Sequence, residues 1–182
     1  MDIRLERSGP RDDRDAILLK MPAAGWQTFL TTWAGAAAGL TGLVFVAVSL
    51  NLTRIMAVAG LPGRAAESLV QLMQVFFVGG LALIPRQTAQ ALGWEVIAIG
   101  AGSWMAQTVG HVGYMKIRRG HPWSWLLIRV TLSQVSTIPI CVAGIGLVGG
   151  MADAIYWIVP GFFFSFVGGL ASAWVLLIEI LR

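Results

Sequence analysis

The chain has 182 residues, of which 57% are apolar or aromatic and only 12% are charged, about half the charged fraction of a soluble domain. Ten of its 22 charged residues lie in the first 20 positions, so the other 162 residues carry only 12. So few charges cannot give a 162-residue globule a water-facing surface, whereas lipid-facing helices need none. The composition therefore excludes a soluble domain and predicts a polytopic membrane protein.

The predicted elements start with a charged N-terminal tail, residues 1–20. The tail contains five basic and five acidic residues around Gly9-Pro10. It buries too little apolar area to offset its chain entropy, so we expect a mobile or interfacial segment. Because the tail is neutral overall, the formal net charge of +4 belongs to the rest of the chain. That excess suits loops at an anionic lipid surface, and no clustered basic face indicates a nucleic-acid partner.

Five segments follow the tail, each long and apolar enough to cross a bilayer, which takes about 20 residues. They cover about residues 26–50, 65–84, 92–112, 123–148 and 154–181. The connections between them are short, which predicts that consecutive helices pack antiparallel. The fold class we expect is an all-α bundle of about five transmembrane helices, the third being the least apolar.

The first span carries a small-residue face. Gly35 and Gly39 form a GxxxG pattern, and Gly42 lies on the adjoining face. Such a face lets another helix backbone approach closely. We expect the partner helix to belong to the same chain, with another copy of the chain as the alternative. Gly144 and Gly168 offer further close-contact surface in the last two spans.

Polar residues occur in the second and fourth spans. Glu67, Gln71 and Gln74 are spaced i, i+4 and i+7, which places them on one helical face. Gln134 and Thr137 are three residues apart near the middle of the fourth span. These side chains can form hydrogen bonds between helices, or they can line a water-filled path. The first interpretation is favoured, because glutamine without a ring of charges is a weak pore signature.

Charged residues of the membrane portion fall near the predicted span ends. Glu67 is expected in the first turn of the second span, where the helix dipole favours a carboxylate. Arg129 is within one to two turns of the interface, so its side chain is expected to extend to the lipid headgroups. These positions leave no charge near the midplane, which disfavours a carrier that needs a buried carboxylate relay.

Two prolines interrupt the later spans. Pro139 removes a backbone hydrogen bond to Val135 in mid-span, and Pro160-Gly161 interrupts the fifth span. Kinks at both places are expected. They either form a hinge or cavity, or simply let the helices splay apart.

The basic loop residues predict the orientation of the chain. Lys116, Arg118 and Arg119 follow the third span, and Arg54 and Arg64 follow the first. Under the positive-inside rule these two loops are cytoplasmic and contact lipid headgroups. Five crossings then place the N-terminus outside and the C-terminus in the cytoplasm.

No catalytic or metal-binding pattern is present. His111 and His121 have no second ligand at metal spacing, and no nucleophile-elbow, Walker or dinucleotide motif occurs. Cys141 is the one cysteine, so it cannot form an internal disulfide. We therefore expect no catalytic residue, metal or cofactor, although an enzyme is not excluded.

The first two spans also carry WAGAAAGLTGLVFVAVSLNL at Trp33–Leu52 and LPGRAAE at Leu61–Glu67. This stretch resembles a group of small bacterial membrane proteins that are labelled modulators of the membrane-bound FtsH protease. The resemblance covers about residues 26–86. It implies a location in the bacterial inner membrane.

The expected function is that of a non-catalytic integral membrane protein that acts through helix–helix association, as a homo-oligomer or as a modulator of other membrane proteins. The alternative is a homo-oligomeric channel for ions or small solutes. Its pore would be lined by the polar face of the second span, and Pro139 or Pro160 would act as the gate hinge. A third class, a membrane-embedded enzyme, would require polar groups from several spans to meet in one cavity.

Overall fold

The computed structural model describes residues 25–117 and 123–181. In these ranges the chain forms six α-helices, one 3-10 helix and no strand, which confirms the predicted all-α bundle. The N-terminal tail, Arg118 and Arg119 lie outside the described residues, and Lys116 lies in the last turn of the third long helix. The helices are α1 (Gln27–Leu50), α2 (Leu52–Ala57), α3 (Leu61–Ala82), α4 (Ala89–Ile117), α5 (Trp123–Val148) and α6 (Ile158–Leu181), with the 3-10 helix Ala152–Trp157 before α6.

Four segments are long and apolar enough to cross a membrane: α1, α3, Leu127–Val148 of α5, and Ala152–Ile178, which joins the 3-10 helix to α6. These segments mark the chain as a helical membrane protein. The predicted third span corresponds to α4, which has the length of a span but is not among the four. Polar side chains such as Gln107 and His111 interrupt its apolar sequence, so a fifth crossing stays a prediction.

Two helices begin away from the predicted boundaries. α3 begins at Leu61, four residues before the predicted second span. Gly60 has a left-handed φ of 96°, which turns the chain into the helix, and Pro62 occupies the first turn, where its missing N–H costs nothing. The predicted fifth span begins instead as a 3-10 helix, and its α-helix starts only at Ile158.

The two prolines have different surroundings. Pro139 lies inside α5, which continues from Trp123 to Val148 as one helix. Pro160 and Gly161 lie in the first turn of α6, directly after the 3-10 helix that begins the same apolar segment. In the first turn of an α-helix a proline removes no hydrogen bond of that helix, and a kink at Pro160 stays a prediction.

The packing contacts show that α1, α4 and α5 run antiparallel to their neighbours and that α3 is central. Leu30 of α1 lies beside Gly79 near the opposite end of α3, and Ser68 of α3 bonds to Gly169 in the middle of α6. Gly93, near the start of α4, lies beside Gly144 and Val148, near the end of α5. Among the four apolar segments α3 is the most buried and α1 the least. We call the end of the bundle that carries α2 the 51–60 end, and the opposite end the 83–88 end.

Apolar packing is concentrated towards the 83–88 end. Phe29 and Trp33 of α1 each contact the ring of Phe162 at a centroid distance of 6.1 Å. Side chains from all five long helices join this core. Its largest members are Leu30, Leu92, Ile140, Leu147, Ile155, Ile158 and Phe162. A smaller group around Ile55, Leu61 and Leu176 closes the 51–60 end.

The small-residue face of α1 makes no contact within the described residues. A Cβ atom added at Gly35, Gly39 or Gly42 would meet nothing within 4 Å. α1 instead packs on α3 through Leu30 and Ala34, and its buried side lies roughly opposite the glycines around the helix. Within the described residues, the expected packing of this face inside the chain is therefore not found, because α1 contacts the bundle through its opposite side.

The closest approach of two backbones is between α4 and α5. A Cβ atom at Gly93 would lie 2.8 Å from the carbonyl oxygen of Gly144, and one at Gly144 would lie 2.9 Å from the carbonyl oxygen of Gly93. Two turns further along α4, a Cβ atom at Gly100 would lie 2.8 Å from the sulfur of Cys141. Only glycine therefore allows α4 and α5 to pack at this separation.

Candidate functional site

The polar face predicted on α3 is turned into the bundle. Glu67, Gln71 and Gln74 are all buried, and the two glutamines are each only 1% exposed. Glu67 bonds to α4 and α5, Gln71 bonds to α4, and Gln74 bonds to α6. We call these three residues and the side chains bonded to them the polar cluster.

Glu67 is the charged centre of the polar cluster. Its Oε2 accepts hydrogen bonds from Nε of Arg129, at 2.5 Å, and from Nη2 of the same guanidinium. Its Oε1 lies 3.2 Å from Nε2 of His111. An ionised carboxylate only accepts, so this contact requires the imidazole tautomer with a proton on Nε2. One carboxylate thus connects α3, α4 and α5.

These charged groups are turned into the bundle. Glu67 is 6% exposed and His111 is 4% exposed. Because α3 begins at Leu61, Glu67 is six residues into the helix, about 9 Å along its axis. Arg129 turns inwards to Glu67 instead of reaching outwards. The expectation that Arg129 extends outwards is therefore wrong, and Glu67 lies in the second turn of its helix and not in the first. A paired charge inside the bundle is stabilised by its partner.

Neutral side chains continue the polar cluster towards the bundle centre. Nε2 of Gln71 donates to Oε1 of Gln107 at 3.0 Å, and Nε2 of Gln107 donates to the hydroxyl of Thr137 at 3.2 Å. This chain of hydrogen bonds again joins α3, α4 and α5. Gly168 of α6 lies against the Gln71 carboxamide, since a Cβ atom there would come within 3.0 Å of Nε2.

The last residue of the α3 face connects to α6. Nε2 of Gln74 donates to the hydroxyl of Ser165 at 2.5 Å, and that hydroxyl donates to the carbonyl oxygen of Gly161 at 2.6 Å. One turn further along α6, the carbonyl oxygen of Gly169 accepts a hydrogen bond of 2.8 Å from the hydroxyl of Ser68 in α3. α6 is therefore held to α3 by polar contacts along the same stretch.

Gln134 lies apart from the other predicted polar residues. Its Oε1 accepts a hydrogen bond of 2.9 Å from the indole N–H of Trp104, on the exposed side of the α4–α5 contact. Thr137, predicted with it, is fully buried in the polar cluster. Gln134 therefore bonds at the outer side of the bundle and Thr137 bonds in its interior.

Sequence reasoning missed Gln107, His111 and Ser165 as members of the polar cluster. The available signal was the spacing of the first two, since residues four apart lie on one helical face. Gln107 and His111 both point to α3. Ser165 carried no comparable signal, because one serine in a long apolar helix is ordinary.

A cavity of about 90 Å³ touches the charged end of the polar cluster. Glu67, Gln107 and Arg129 contribute polar atoms to its wall, while small residues of α3 and α4 surround them. Polar groups from three helices thus meet at one cavity, as a membrane-embedded enzyme would require. Among the described residues, however, His111 bonds to the Glu67 carboxylate and not to a nucleophile. No group of three or more His, Cys, Asp or Glu in the described part of the chain is arranged to hold a metal ion.

The arrangement is suited to holding helices together. The α3 face lies inside one chain, where side chains of α4, α5 and α6 cover it. A pore on the axis of an oligomer would need this face on the outer surface of the bundle. The geometry therefore favours interhelical hydrogen bonding over a shared pore.

Replacing Gln74 with leucine should lower the free energy of unfolding by about 1 kcal/mol, the size of one interhelical hydrogen bond in a membrane. The leucine fills a similar volume but cannot donate to Ser165. Thermal unfolding in mild detergent measures the change, with Gln90→Leu as control because Gln90 is exposed at the start of α4. Ion flux that appears or disappears in liposomes with Gln74→Leu would instead indicate a pore-lining residue.

Comparison with protein-family models, with curated protein sequences and with solved structures gives no match.

Proposed function

We propose that the protein is a non-catalytic integral membrane protein that acts through lateral association of α1 with a helix of another membrane protein or of a second copy. The observation that carries this proposal is the uncovered glycine face of α1. Gly35, Gly39 and Gly42 lie on a helix apolar enough to span the membrane, yet no described residue packs on them. In lipid such a face favours close backbone packing with another helix.

The position of α1 in the bundle supports the same proposal. α1 is the least buried of the apolar segments and contacts mainly α3. Its outer surface also carries the exposed side chains of Leu43, Phe45 and Val46. A second helix could therefore pack on α1 without moving any other helix of the bundle.

The membrane and orientation belong to this proposal. The resemblance of Trp33–Leu52 and Leu61–Glu67 to bacterial proteins labelled as protease modulators supports the bacterial inner membrane and a role in modulating another membrane protein. If α4 also crosses, the antiparallel helices place both Arg54 and Lys116 at the 51–60 end. The positive-inside rule then puts that end in the cytoplasm and the N-terminus outside.

The association proposal is tested by the mass of the assembly extracted with its surrounding lipid. We expect the wild-type chain to be recovered in a complex heavier than the 19.5 kDa monomer, as a dimer or with a copurifying membrane protein. Gly39→Leu should reduce the recovered complex at least about tenfold, because the leucine separates the two backbones by more than van der Waals contact allows.

Ala36→Leu is the matched control, since Ala36 is an exposed residue of the same helix about a quarter turn away from the glycine face. It should leave the complex intact. A wild-type chain that is monomeric and copurifies with nothing would refute the proposal. Equal loss of the complex in both variants would show that the glycine face is not the contact.

A further inference from the structure

The cavity beside the polar cluster lies between α3 and α4, and we call it the lateral cavity. Its polar wall consists of Glu67, Gln107 and Arg129, of which Glu67 and Gln107 are more than nine-tenths buried. Its mouth is lined by the small residues Ala66 of α3 and Gly110 of α4. A buried charged pair thus borders an open space that no described side chain fills.

The mouth of the lateral cavity faces sideways from the bundle. Ala66 and Ala106, which line it, are both exposed, although each lies within a long helix. Ala66 is five residues into α3, about 8 Å from the helix start. At that depth in a membrane-spanning helix, the exposed side chains face lipid. A ligand would therefore enter from the hydrocarbon phase.

The volume limits what can enter. A water molecule occupies about 30 Å³ in the liquid, so 90 Å³ accommodates only a few heavy atoms. The cavity can hold the polar head of an amphiphile but not its apolar body. The rest of such a molecule would lie in the lipid along the groove between α3 and α4.

The hydrogen bonds that Glu67 and Gln107 already form indicate which chemical group the head of the ligand carries. The Glu67 carboxylate has about four acceptor sites, and among the contacts of the described residues His111 and two nitrogens of Arg129 occupy three of them. Nε2 of Gln107 donates to the carbonyl oxygen of Ser103 and to the hydroxyl of Thr137, while within the described part of the chain its Oε1 accepts from Gln71. Glu67 and Gln107 therefore offer acceptors to the cavity, and the ligand must bring a donor.

The charges of Glu67 and Arg129 further limit which head groups the lateral cavity can bind. An ammonium head would lie beside the Arg129 guanidinium, and a carboxylate head would lie beside Glu67 without a proton to donate. A ketone, ester or ether has no donor. A hydroxyl is the smallest neutral group that donates to a carboxylate and can also accept from a guanidinium. Both contacts are possible in a space of this size.

We propose that the lateral cavity is a binding site for the head of a neutral long-chain alcohol, with the hydroxyl donating to Glu67 and the chain lying between α3 and α4. This site is separate from the glycine face of α1, so it does not depend on the association proposed above. It gives the buried charges a ligand-binding role in addition to their role in holding helices together.

The test uses the full chain in lipid nanodiscs and a long-chain primary alcohol that carries a photoreactive diazirine on its chain. Labelled positions are mapped by mass spectrometry. We expect the labelled positions to concentrate in residues 63–70 and 103–110. The alcohol should label these residues at least about tenfold more than its methyl ether does, because a factor of ten corresponds to about one hydrogen bond to a charged group. The ether keeps the chain but lacks the donor.

Gly110→Leu should reduce the labelling by a similar factor, because its side chain fills the mouth. A Cβ atom at Gly110 meets nothing within 4 Å, so the helix accommodates the change. Gly102→Leu is the control, since Gly102 is an exposed glycine of the same helix with equally open space. It should leave labelling unchanged. Ala66→Leu fills the mouth from α3 and should act as Gly110→Leu does.

Three results would overturn the proposal. Equal labelling by the alcohol and its ether would show that no donor is required. Labelling spread evenly over the lipid-facing helices, or unchanged in both Gly110→Leu and Ala66→Leu, would show that the cavity binds nothing. Stronger labelling by the matching carboxylate probe would show that the site selects an anion.

Discussion

Replacing Arg129 with methionine should lower the free energy of unfolding by about 3–5 kcal/mol, the largest effect of any single substitution considered for this chain. Methionine keeps most of the side-chain volume but removes both hydrogen bonds to Glu67. The carboxylate then stays buried without the guanidinium, next to the imidazole of His111. The loss comes mainly from that uncompensated charge, and thermal or denaturant unfolding in mild detergent measures it.

The double variant Glu67→Gln with Arg129→Met separates this cause from a simple loss of packing. Its carboxamide has a similar shape, carries no charge and still accepts from Nε2 of His111. We expect the double variant to recover most of the stability lost with Arg129→Met, because replacing a buried ion pair by neutral groups is close to neutral. No recovery would mean that packing, and not charge, explains the loss.

Arg54→Met is the matched control for this experiment. Arg54 is an exposed arginine in the last turn of α2, so its removal should change the unfolding free energy by no more than about 0.5 kcal/mol. A control loss comparable to that of Arg129→Met would show that any arginine-to-methionine change destabilises the protein in detergent.

The sequence predicts the helical architecture because local properties determine it. Apolar length and the absence of charge predict long helices, and short connections predict antiparallel packing. The i, i+4 and i+7 spacing also places Glu67, Gln71 and Gln74 on one side of α3 correctly. Periodicity gives the shared face, but it does not tell whether that face points to lipid, to a pore or to the bundle interior.

The partners of that face depend on tertiary packing. His111 and Arg129 are 44 and 62 residues from Glu67 in the chain, and no local pattern connects them. The predicted second span began at Ala65 and omitted the turn that Pro62 starts, so Glu67 lies in the second turn of α3 and not in the first. Its burial comes from the side of the helix on which it lies, which packs against α4 and α5.

Glycine positions show the same limit. The GxxxG pattern of Gly35 and Gly39 is the most conspicuous in the sequence, yet both residues lie open. Gly93 and Gly144, which form no such motif with each other, hold the closest helix contact. A glycine motif indicates that a helix can approach another helix closely. Where such an approach occurs depends on the packing of the whole bundle.

The α4–α5 contact leads to a second large expected effect. Gly93→Ala should lower the free energy of unfolding by about 1–3 kcal/mol, as overpacking does in a tight core. The new methyl group would lie 2.7 Å from the backbone nitrogen of Val148 and 2.8 Å from the carbonyl oxygen of Gly144. Backbone atoms cannot rotate away as side chains do, so α4 and α5 must separate.

Gly102→Ala makes the same chemical change in the same helix at an open position. It should be neutral or stabilise the protein by up to about 1 kcal/mol, because alanine favours the helix over glycine. If α4 and α5 pack as described, Gly93→Ala lowers the free energy of unfolding and Gly102→Ala does not. Unfolding of both variants in the same detergent measures this difference. A stabilising Gly93→Ala would mean that these helices do not approach at Gly93, and the register that places Gln107 beside Thr137 would be wrong as well.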